Sequence, residues 1–315
     1  MAKIKTVYDH IRRNNIKTTV LVALFPMIFI GLIFLFVWAV APLAQAIETT
    51  ARVAIPTAVV CLVWIGISWM FGDSMILNIA GAHEIFDDDK KHREIFRSVE
   101  NVALAAGLPT PRVYIIEDNS LNAFATGRTP RDASVALTRG IINKLDKLEL
   151  EGVIAHEMAH IGNRDIRLDM LLVTGIGVTV FIADVLLRNA MYGGNISSDD
   201  DSGKNNGAII LLMVWLAFTV FNVIITPLLR MAVSRNREYA ADATGAHITR
   251  NPHALANALR KITADSRVER LDKNKSVAMM CIANPLGVRE FMGDLMSTHP
   301  APEKRIERLE GMSIK

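Results

Sequence analysis

The chain has 315 residues, of which 51% are hydrophobic and only 21% are charged, and its mean hydropathy is +0.28. This composition is too apolar for a typical soluble two-domain enzyme and predicts an integral membrane protein. The net charge of +3 is spread along the chain without interleaved aromatic residues. That pattern excludes a nucleic-acid partner and favours contact with the lipid bilayer.

The N-terminal part contains two long uncharged runs, 18–46 and 53–72. Each is long enough to cross a hydrocarbon core of about 30 Å, and both are predicted to be transmembrane helices. Five Lys and Arg residues precede the first run, and Ala44-Gln45-Ala46 resembles a signal-peptide cleavage site. The run greatly exceeds the apolar region of a signal peptide, which is about 7–15 residues, so we expect it to be retained.

The distribution of basic residues predicts the orientation in the membrane. The connection between the two runs carries only Arg52, whereas the N-terminal tail and the region 73–167 are rich in Lys and Arg. Because cytoplasmic loops carry the excess of positive charge, both the amino end and the region after the second run are predicted to be cytoplasmic.

A small β-sheet is predicted ahead of the central part of the chain. The segments 113–117 and 134–138 are short, apolar and rich in β-branched residues, and Asn122-Ala123-Phe124-Ala125 lies between them. Such segments are typical of strands.

The segment His156-Glu157-Met158-Ala159-His160 predicts a metal site on a helix. A capping-box pattern at Asp146 and Glu149 begins this helix, and Gly162-Asn163 ends it. His156 and His160 stand one turn apart, where both imidazoles can bind one zinc ion. Zinc lowers the pKa of its water from about 15.7 towards roughly 7, and Glu157 could accept the proton as a peptide carbonyl is attacked.

A catalytic zinc site needs a third protein ligand. The metzincin spacing would require a histidine at the position of Ile166, so that class is excluded. Glu238 and Asp242 share a face of a later helical stretch, where Glu238 could bind zinc and Asp242 could orient a ligand histidine. The alternative is a solvated face paired with Arg235 and Arg237.

Two further hydrophobic segments, 171–187 and 208–229, lie between the histidines and Glu238. One zinc ion cannot be bound from two sides of a bilayer, so these segments must cross the membrane twice or not at all. Two crossings are favoured because the loop between them carries Asp199, Asp200 and Asp201 and little positive charge. About ten residues on either side would then place the zinc roughly 15 Å from the membrane.

Four motifs together resemble a known family. They are HEMAH at 156–160, SRNREYAAD at 234–242, NAFATG at 122–127 and Thr298-His299-Pro300. The chain resembles the membrane-bound zinc metallopeptidases of the HtpX type, which are relatives of the CaaX prenyl proteases. The hydrophobic segments extend this resemblance over nearly the whole chain.

The resemblance implies one zinc ion per subunit, bound by His156, His160 and Glu238, with Glu157 as the catalytic base. It implies that the NAFA stretch lines the cleft, so Asn122 and Ala123 are candidates for main-chain pairing with an extended substrate. The alternative is a loop packed by the Phe124 ring. A donor must also stabilise the oxyanion. The candidates are His299, which resembles a family position facing the cleft, and Tyr239 and Arg235.

The predicted fold class is a mainly α integral membrane protein, with transmembrane helices and a cytoplasmic α+β zincin-like metallopeptidase domain that contains a small β-sheet. The predicted order is a cytoplasmic tail, two transmembrane helices, a protease region with the HEMAH helix, two hydrophobic segments with an acidic outer loop, and a protease region with the third ligand. Their bounds are 1–17, 18–72, 73–170, 171–229 and 230–315.

The family's role implies a zinc-dependent endopeptidase of the cytoplasmic (inner) membrane that acts in quality control and stress response. Its predicted partners are misfolded or damaged membrane proteins, unfolded polypeptides and the lipid bilayer. Two alternatives remain open from the sequence: a processing protease that trims the C-termini of lipidated proteins, and an inactive membrane scaffold.

Overall fold

The computed structural model describes residues 7–40, 42–192, 215–216, 219, 235–264 and 300–312. The described residues belong to two compact units. The first is drawn from Met1–Lys17, Phe71–Val173 and Arg230–Lys315, and the second from Thr18–Met70 and Thr174–Leu229.

Helices dominate the described part of the chain, and the strands are short. The helices are α1 (Val7–Val40), α2 (Leu43–Ile79), α3 (Arg93–Ala105), α4 (Arg139–Lys144), α5 (Lys147–Gly162), α6 (Asp165–Tyr192), α7 (Arg235–Thr249), α8 (Pro252–Ala264) and α9 (Pro302–Glu310). The strands are β1 (Ala82–Ile85), β2 (Arg112–Ile116), β3 (Ala123–Thr126) and β4 (Ser134–Thr138).

Two helices are long and apolar enough to cross a bilayer. The window Thr18–Leu35 of α1 has a mean hydropathy of 2.5, and Ala54–Ile79 of α2 has 2.0. Only 12% and 11% of these windows are buried, whereas the apolar core helix of a soluble protein is mostly buried. The first two predicted segments therefore lie on helices with exposed apolar faces.

The later hydrophobic segments are described only in part. Helix α6 contains the predicted third segment, 171–187. The predicted fourth segment, 208–229, and the acidic loop before it lie almost wholly outside the described residues.

The predicted small sheet is present and has four strands in the order β1-β2-β4-β3. The two predicted strands are β2 and β4, which pair in parallel at the centre of the sheet. The NAFA stretch contributes most of β3, which pairs antiparallel with β4 at one edge. Strand β1 was not predicted, because it has four residues of which only Ile85 is buried.

One hydrophobic core joins the sheet to the helices of the first unit. Its buried members include residues from β2 and β4, from α3, α5 and α8, and from α9. Among them are Val113, Ile115, Val135, Leu137, Val99, Val102, Val153, Ile154, Leu255, Leu259 and Leu309. Burying apolar side chains of this size contributes about 1.5–3 kcal/mol each, which fixes α5 against both the sheet and α8.

Helix α5 begins as its sequence predicts. The Asp146 carboxylate accepts the Glu149 N–H at 2.9 Å, and the Glu149 carboxylate accepts the Asp146 N–H at 2.9 Å. Lys261 on α8 also donates to Glu149, at 2.6 Å. The predicted capping box is therefore confirmed, and it ties the start of α5 to α8.

Two glycines let other helices approach the α5 backbone. A Cβ atom at Gly152 would lie 3.1 Å from the Leu255 nitrogen on α8. A Cβ atom at Gly245 on α7 would lie 3.0 Å from the His156 nitrogen on α5. Both distances are shorter than ordinary van der Waals contact between carbon and nitrogen atoms. A side chain at either position would have to push the facing backbone away by a few tenths of an ångström, so glycine allows α7 and α8 to approach α5 this closely.

The change Gly245→Val should lower the stability of the first unit by about 1–3 kcal/mol, because its side chain would have to push the facing backbone atoms away. Ala243→Val, on an exposed position of the same helix, is the matched control. Thermal unfolding of the purified full chain in detergent measures both variants. Equal melting temperatures for the two would contradict the close approach of α5 and α7.

Candidate metal centre

Helices α5 and α7 bring three potential ligands together. The Nε2 atoms of His156 and His160 lie 3.2 Å apart. The Glu238 carboxylate places Oε2 at 3.8 Å from Nε2 of His156 and Oε1 at 3.6 Å from Nε2 of His160. One ligand atom from each residue lies within 4.8 Å of the others. The three predicted ligands therefore form one cluster in the structure.

The spacing of these atoms fits a zinc ion. Zinc binds imidazole nitrogen and carboxylate oxygen at about 2.0–2.2 Å in a tetrahedral arrangement, which separates neighbouring ligand atoms by roughly 3.4 Å. The two nitrogens are separated by 3.2 Å, and each lies 3.6–3.8 Å from a different oxygen of the Glu238 carboxylate, close to that value. Two imidazoles and one carboxylate are also a ligand set of catalytic zinc sites.

The other ring nitrogens are held by carboxylates. Nδ1 of His156 lies 3.0 Å from Asp242, and Nδ1 of His160 lies 2.8 Å from Asp165. Since a carboxylate only accepts hydrogen bonds, Nδ1 carries the proton in each ring. If both imidazoles are neutral, their facing Nε2 atoms carry lone pairs that repel each other. A cation bound between the two atoms removes this repulsion.

Each of these carboxylates is bound by a buried arginine. Arg305 on α9 donates to both oxygens of Asp242, at 2.9 and 2.7 Å. Arg237 on α7 donates to Asp165 at 3.3 Å and to Asp169 at 2.8 Å. Bidentate guanidinium contacts fix a carboxylate in orientation as well as in charge. The two ligand histidines are therefore positioned through two parallel chains of histidine, aspartate and arginine.

The electrostatics of the cluster favour positive charge. Burial works to lower the pKa of His160, but the hydrogen bond to Asp165 and the charge of Glu238 raise it to about 9. Burial lowers the pKa of His156, which favours its neutral form. Burial would raise the pKa of Asp242, yet the charge of Arg305 and hydrogen bonds hold it below its ordinary value. The negative charge that holds a proton on His160 also favours a divalent cation.

Glu157 is buried beside the ligands, with 2% of its surface exposed. Burial is the main cause that raises its pKa, to about 7; the charge of His160 opposes this shift and that of Glu238 adds to it. The backbone N–H of Ala125 on β3 also donates to the carboxylate. A carboxylate with a pKa near 7 can both accept and return a proton at neutral pH, as a general base requires.

Among the described strands, β3 lies at one edge of the sheet, and its unpaired edge there faces Glu157. The main chain of Asn122 bonds Thr138 instead, with its N–H donating to Oγ1 and its C=O accepting the Thr138 N–H, both at 3.0 Å. The N–H groups of Ala123 and Ala125 point away from β4. The Ala123 N–H donates to the Asn122 side chain at 3.0 Å. The edge available for pairing is thus formed by Ala123 and Ala125, and Asn122 contributes its side chain. Phe124 is buried, so the predicted packing of its ring also occurs.

The solvated face that the sequence left open for α7 is not found. Glu238 and Asp242 are 5% and 2% exposed, and Arg237 is 6% exposed. Arg237 pairs with Asp165 and Asp169 of α6, whereas the solvated-face alternative would have paired it with Glu238 or Asp242. Helical spacing had predicted that Asp242 orients a histidine, and the 3.0 Å contact with His156 agrees with that prediction.

Three residues of the centre were not predicted from the sequence: the buried Asp165 and Arg305, and the partly buried Asp169. Asp165 and Asp169 stand one turn apart at the start of α6, directly before an apolar run. Charged residues beside an apolar run usually have partners inside the protein, so their position was a usable signal. His299 and the side chain of Arg235 lie outside the described residues. The Tyr239 ring packs under the Arg308 guanidinium, 3.6 Å from its centroid.

Comparison with known proteins identifies the family. The model of peptidase family M48 matches residues 89–313. A protease HtpX homolog of Thermoanaerobacter pseudethanolicus is 38% identical over 98% of this chain and 99% of its own length. A protease HtpX homolog of Ligilactobacillus salivarius is 39% identical over 97% of this chain and 100% of its own length.

A solved structure, that of S. mikatae Ste24p, is 16% identical with a TM-score of 0.43, and the alignment covers 95% of this chain and 66% of that one. The family match covers well over half of the chain, and the relatives match it almost from end to end. The predicted resemblance to HtpX-type membrane metallopeptidases is thereby confirmed, and the chain belongs to peptidase family M48.

Proposed function

We propose that this metallopeptidase is a zinc-dependent endopeptidase, with His156, His160 and Glu238 as zinc ligands and Glu157 as catalytic base. The observation that carries the proposal is the convergence of one potential ligand atom from each of these three residues within 4.8 Å of the others, beside a buried glutamate. Zinc, when bound, supplies a Lewis acid that polarises a peptide carbonyl and makes water nucleophilic near neutral pH.

The side chains of the chain itself handle the protons. Glu157 accepts a proton from the attacking water and returns it to the departing amine, which its pKa of about 7 allows. Asp242 and Asp165 keep the two imidazoles in the tautomer that directs Nε2 towards the metal. Arg305 and Arg237 hold those aspartates in place through charge-assisted hydrogen bonds.

The free edge of β3 is the proposed substrate-binding element. An extended peptide would add as a strand beside Ala123 and Ala125, as peptides do at exposed sheet edges. The Asn122 side chain now bonds the Ala123 N–H and would have to turn away or bond the peptide instead. Because Ala125 donates to Glu157, pairing along this edge sets a peptide bond next to the base. His299 remains the proposed donor to the oxyanion.

The proposed substrates are misfolded or damaged membrane proteins, cleaved on the cytoplasmic side of the inner membrane. The basic regions flanking the first two hydrophobic segments support this orientation. Buried ligands with buried partners weigh against an inactive scaffold, because a polar cluster of this size is costly to keep. Four hydrophobic segments, rather than a larger bundle, weigh against the trimming of lipidated C-termini.

The change Glu157→Gln should lower the rate of casein cleavage by about 10²–10⁴-fold while zinc content stays unchanged, because the amide cannot accept a proton. Glu151→Gln, on the same helix and outside the cluster, is the matched control. Cleavage is measured by peptide release and zinc by elemental analysis of the purified chain. Full activity of the Glu157→Gln variant would contradict the assignment of Glu157 as the catalytic base.

The change Asp165→Asn should weaken zinc binding by about 10–100-fold, because an amide no longer fixes the protonated Nδ1 of His160. Glu238→Ala removes a ligand and should weaken binding further. Asp89→Asn is the matched control, since Asp89 also bonds a histidine Nδ1, that of His92, at 2.6 Å. Competition with a chelator of known affinity measures all three. If Asp165→Asn binds zinc as tightly as Asp89→Asn, Asp165 has no part in the centre.

The orientation can be tested by cysteine labelling in a chain whose two native cysteines are replaced. A membrane-impermeant maleimide should label Glu94→Cys in inverted membrane vesicles and not in intact spheroplasts. Asp200→Cys, in the predicted outer loop, should show the opposite pattern. Labelling of both positions from the same side would contradict two crossings by 171–187 and 208–229.

A further inference from the structure

The arginine behind His156 contacts two carboxylates of α7. Arg305 donates to both oxygens of Asp242, at 2.9 and 2.7 Å, and its guanidinium lies 3.7 Å from the carboxylate of Glu238. Glu238 is a proposed zinc ligand, and Asp242 contacts Nδ1 of His156 directly. Both carboxylates therefore belong to the immediate surroundings of the metal centre.

The arginine behind His160 is held in a different way. Arg237 donates to Oδ1 of Asp165 at 3.3 Å, which is long for a hydrogen bond between nitrogen and oxygen. Its other terminal nitrogen donates to both oxygens of Asp169, at 2.8 and 3.2 Å. Asp169 lies one turn further along α6 than Asp165. Arg237 is therefore anchored mainly by a carboxylate that is one step removed from the ligand histidine.

The two oxygens of Asp165 accept hydrogen bonds from different donors. Oδ2 accepts from Nδ1 of His160 at 2.8 Å, and Oδ1 accepts from Arg237. In the other chain a single oxygen, Oδ1 of Asp242, lies within hydrogen-bond distance of both the imidazole and the guanidinium. An oxygen that is shared with a guanidinium offers less negative charge to an imidazole. Asp165 is thus the stronger acceptor for its histidine as long as Arg237 stays on Oδ1.

The ion pair between Asp169 and Arg237 holds the guanidinium in that place. The Arg237 side chain is 6% exposed and that of Asp169 is 24% exposed, so water screens the pair only in part. Burial raises the pKa of Asp169 above its ordinary value, and the charge of Arg237 opposes that shift. In return, Arg237 offsets the repulsion between Asp165 and Asp169, which share one face of α6.

We propose that Asp169 is a positioning residue of the zinc site: it anchors Arg237 and thereby keeps Oδ2 of Asp165 available to His160. This role rests on the proposed function, because Asp169 acts only through a proposed zinc ligand. The effect of Asp169 on zinc binding must then pass through Asp165. An ion pair that merely joins α6 to α7 would contribute to stability without this dependence.

The change Asp169→Asn should weaken zinc binding by about 10-fold, the lower end of the range for residues that hold a metal ligand in place. Asp132→Asn is the matched control, because Asp132 also pairs with an arginine, Arg128, at 2.6 Å and its side chain is 29% exposed. The control should bind zinc as tightly as the wild type. Competition with a chelator of known affinity measures zinc binding by the purified full chain in detergent. Thermal unfolding of the zinc-free chain measures stability separately.

A double variant tests the path of the effect. Asp165→Asn combined with Asp169→Asn should bind zinc within about twofold of Asp165→Asn alone, because two residues that act in series are not additive. The conservative change Asp169→Glu keeps the negative charge beside Arg237. It should therefore bind zinc more tightly than Asp169→Asn.

Wild-type zinc affinity in Asp169→Asn would overturn this role, even if the zinc-free variant melts earlier. A further loss of about 10-fold in the double variant would also overturn it. If Asp169→Asn does not fold, Arg237→Lys decides against Arg128→Lys, because lysine lacks the fork that joins two carboxylates. Equal zinc affinity of these two variants would again contradict the role.

The wild type and Glu238→Ala separate the two proposals. If the wild type binds no zinc, the proposed function fails, and the role of Asp169 fails with it. If the wild type binds zinc, Glu238→Ala does not, and Asp169→Asn binds as the wild type does, only the role of Asp169 fails.

Discussion

Two imidazole nitrogens that face each other at 3.2 Å set the constraint on which the rest of the centre depends. Each ring has its Nδ1 committed to a carboxylate, so the facing atoms carry lone pairs unless a proton or a metal ion lies between them. Around them, Glu157, Glu238, Asp165 and Asp242 are all buried, and the two buried arginines that contact this group offset only part of its negative charge. Buried charge without compensation is expensive, so a divalent cation is expected to stabilise the folded first unit as well as to activate water.

These buried charges are held together by helices whose backbones pack in close contact. Gly245 allows α7 to touch α5 at His156, which sets Glu238 opposite the histidines. Gly152 allows α8 to touch the same helix from another side, and the shared apolar core closes around these contacts. Helix α5 therefore carries two of the three proposed zinc ligands and is also a central core element. A change in its packing alters the ligand spacing directly, because the same residues serve both purposes.

Sequence patterns predicted the features that depend on the spacing of residues along a single helix. The capping box at Asp146, the pair His156 and His160, and the face shared by Glu238 and Asp242 all follow from helical spacing, and the structure reproduces each. The solvated face with Arg237 as a surface partner stayed open as an alternative, because spacing does not show which face of a polar helix packs against a neighbour. The contact between Arg305 and Asp242 joins residues 63 positions apart, and no periodic pattern links them. Strand β1 was missed because a short, half-exposed segment lacks the alternation that marks a strand.

The first turns of α6 contact both the metal centre and the turn after β3. Asp165 and Asp169, four residues apart, lie on one face and contact Arg237 beside the ligands. Arg167 is about 200° around the helix from Asp165 and contacts Asn15 and the turn after β3. That turn follows the strand whose Ala125 N–H reaches Glu157. A change in the packing of this helical turn would therefore displace both Asp165 and the loop that ends the proposed substrate-binding edge. The tautomer of His160 and the position of the strand beside Glu157 thus depend on one short stretch of helix.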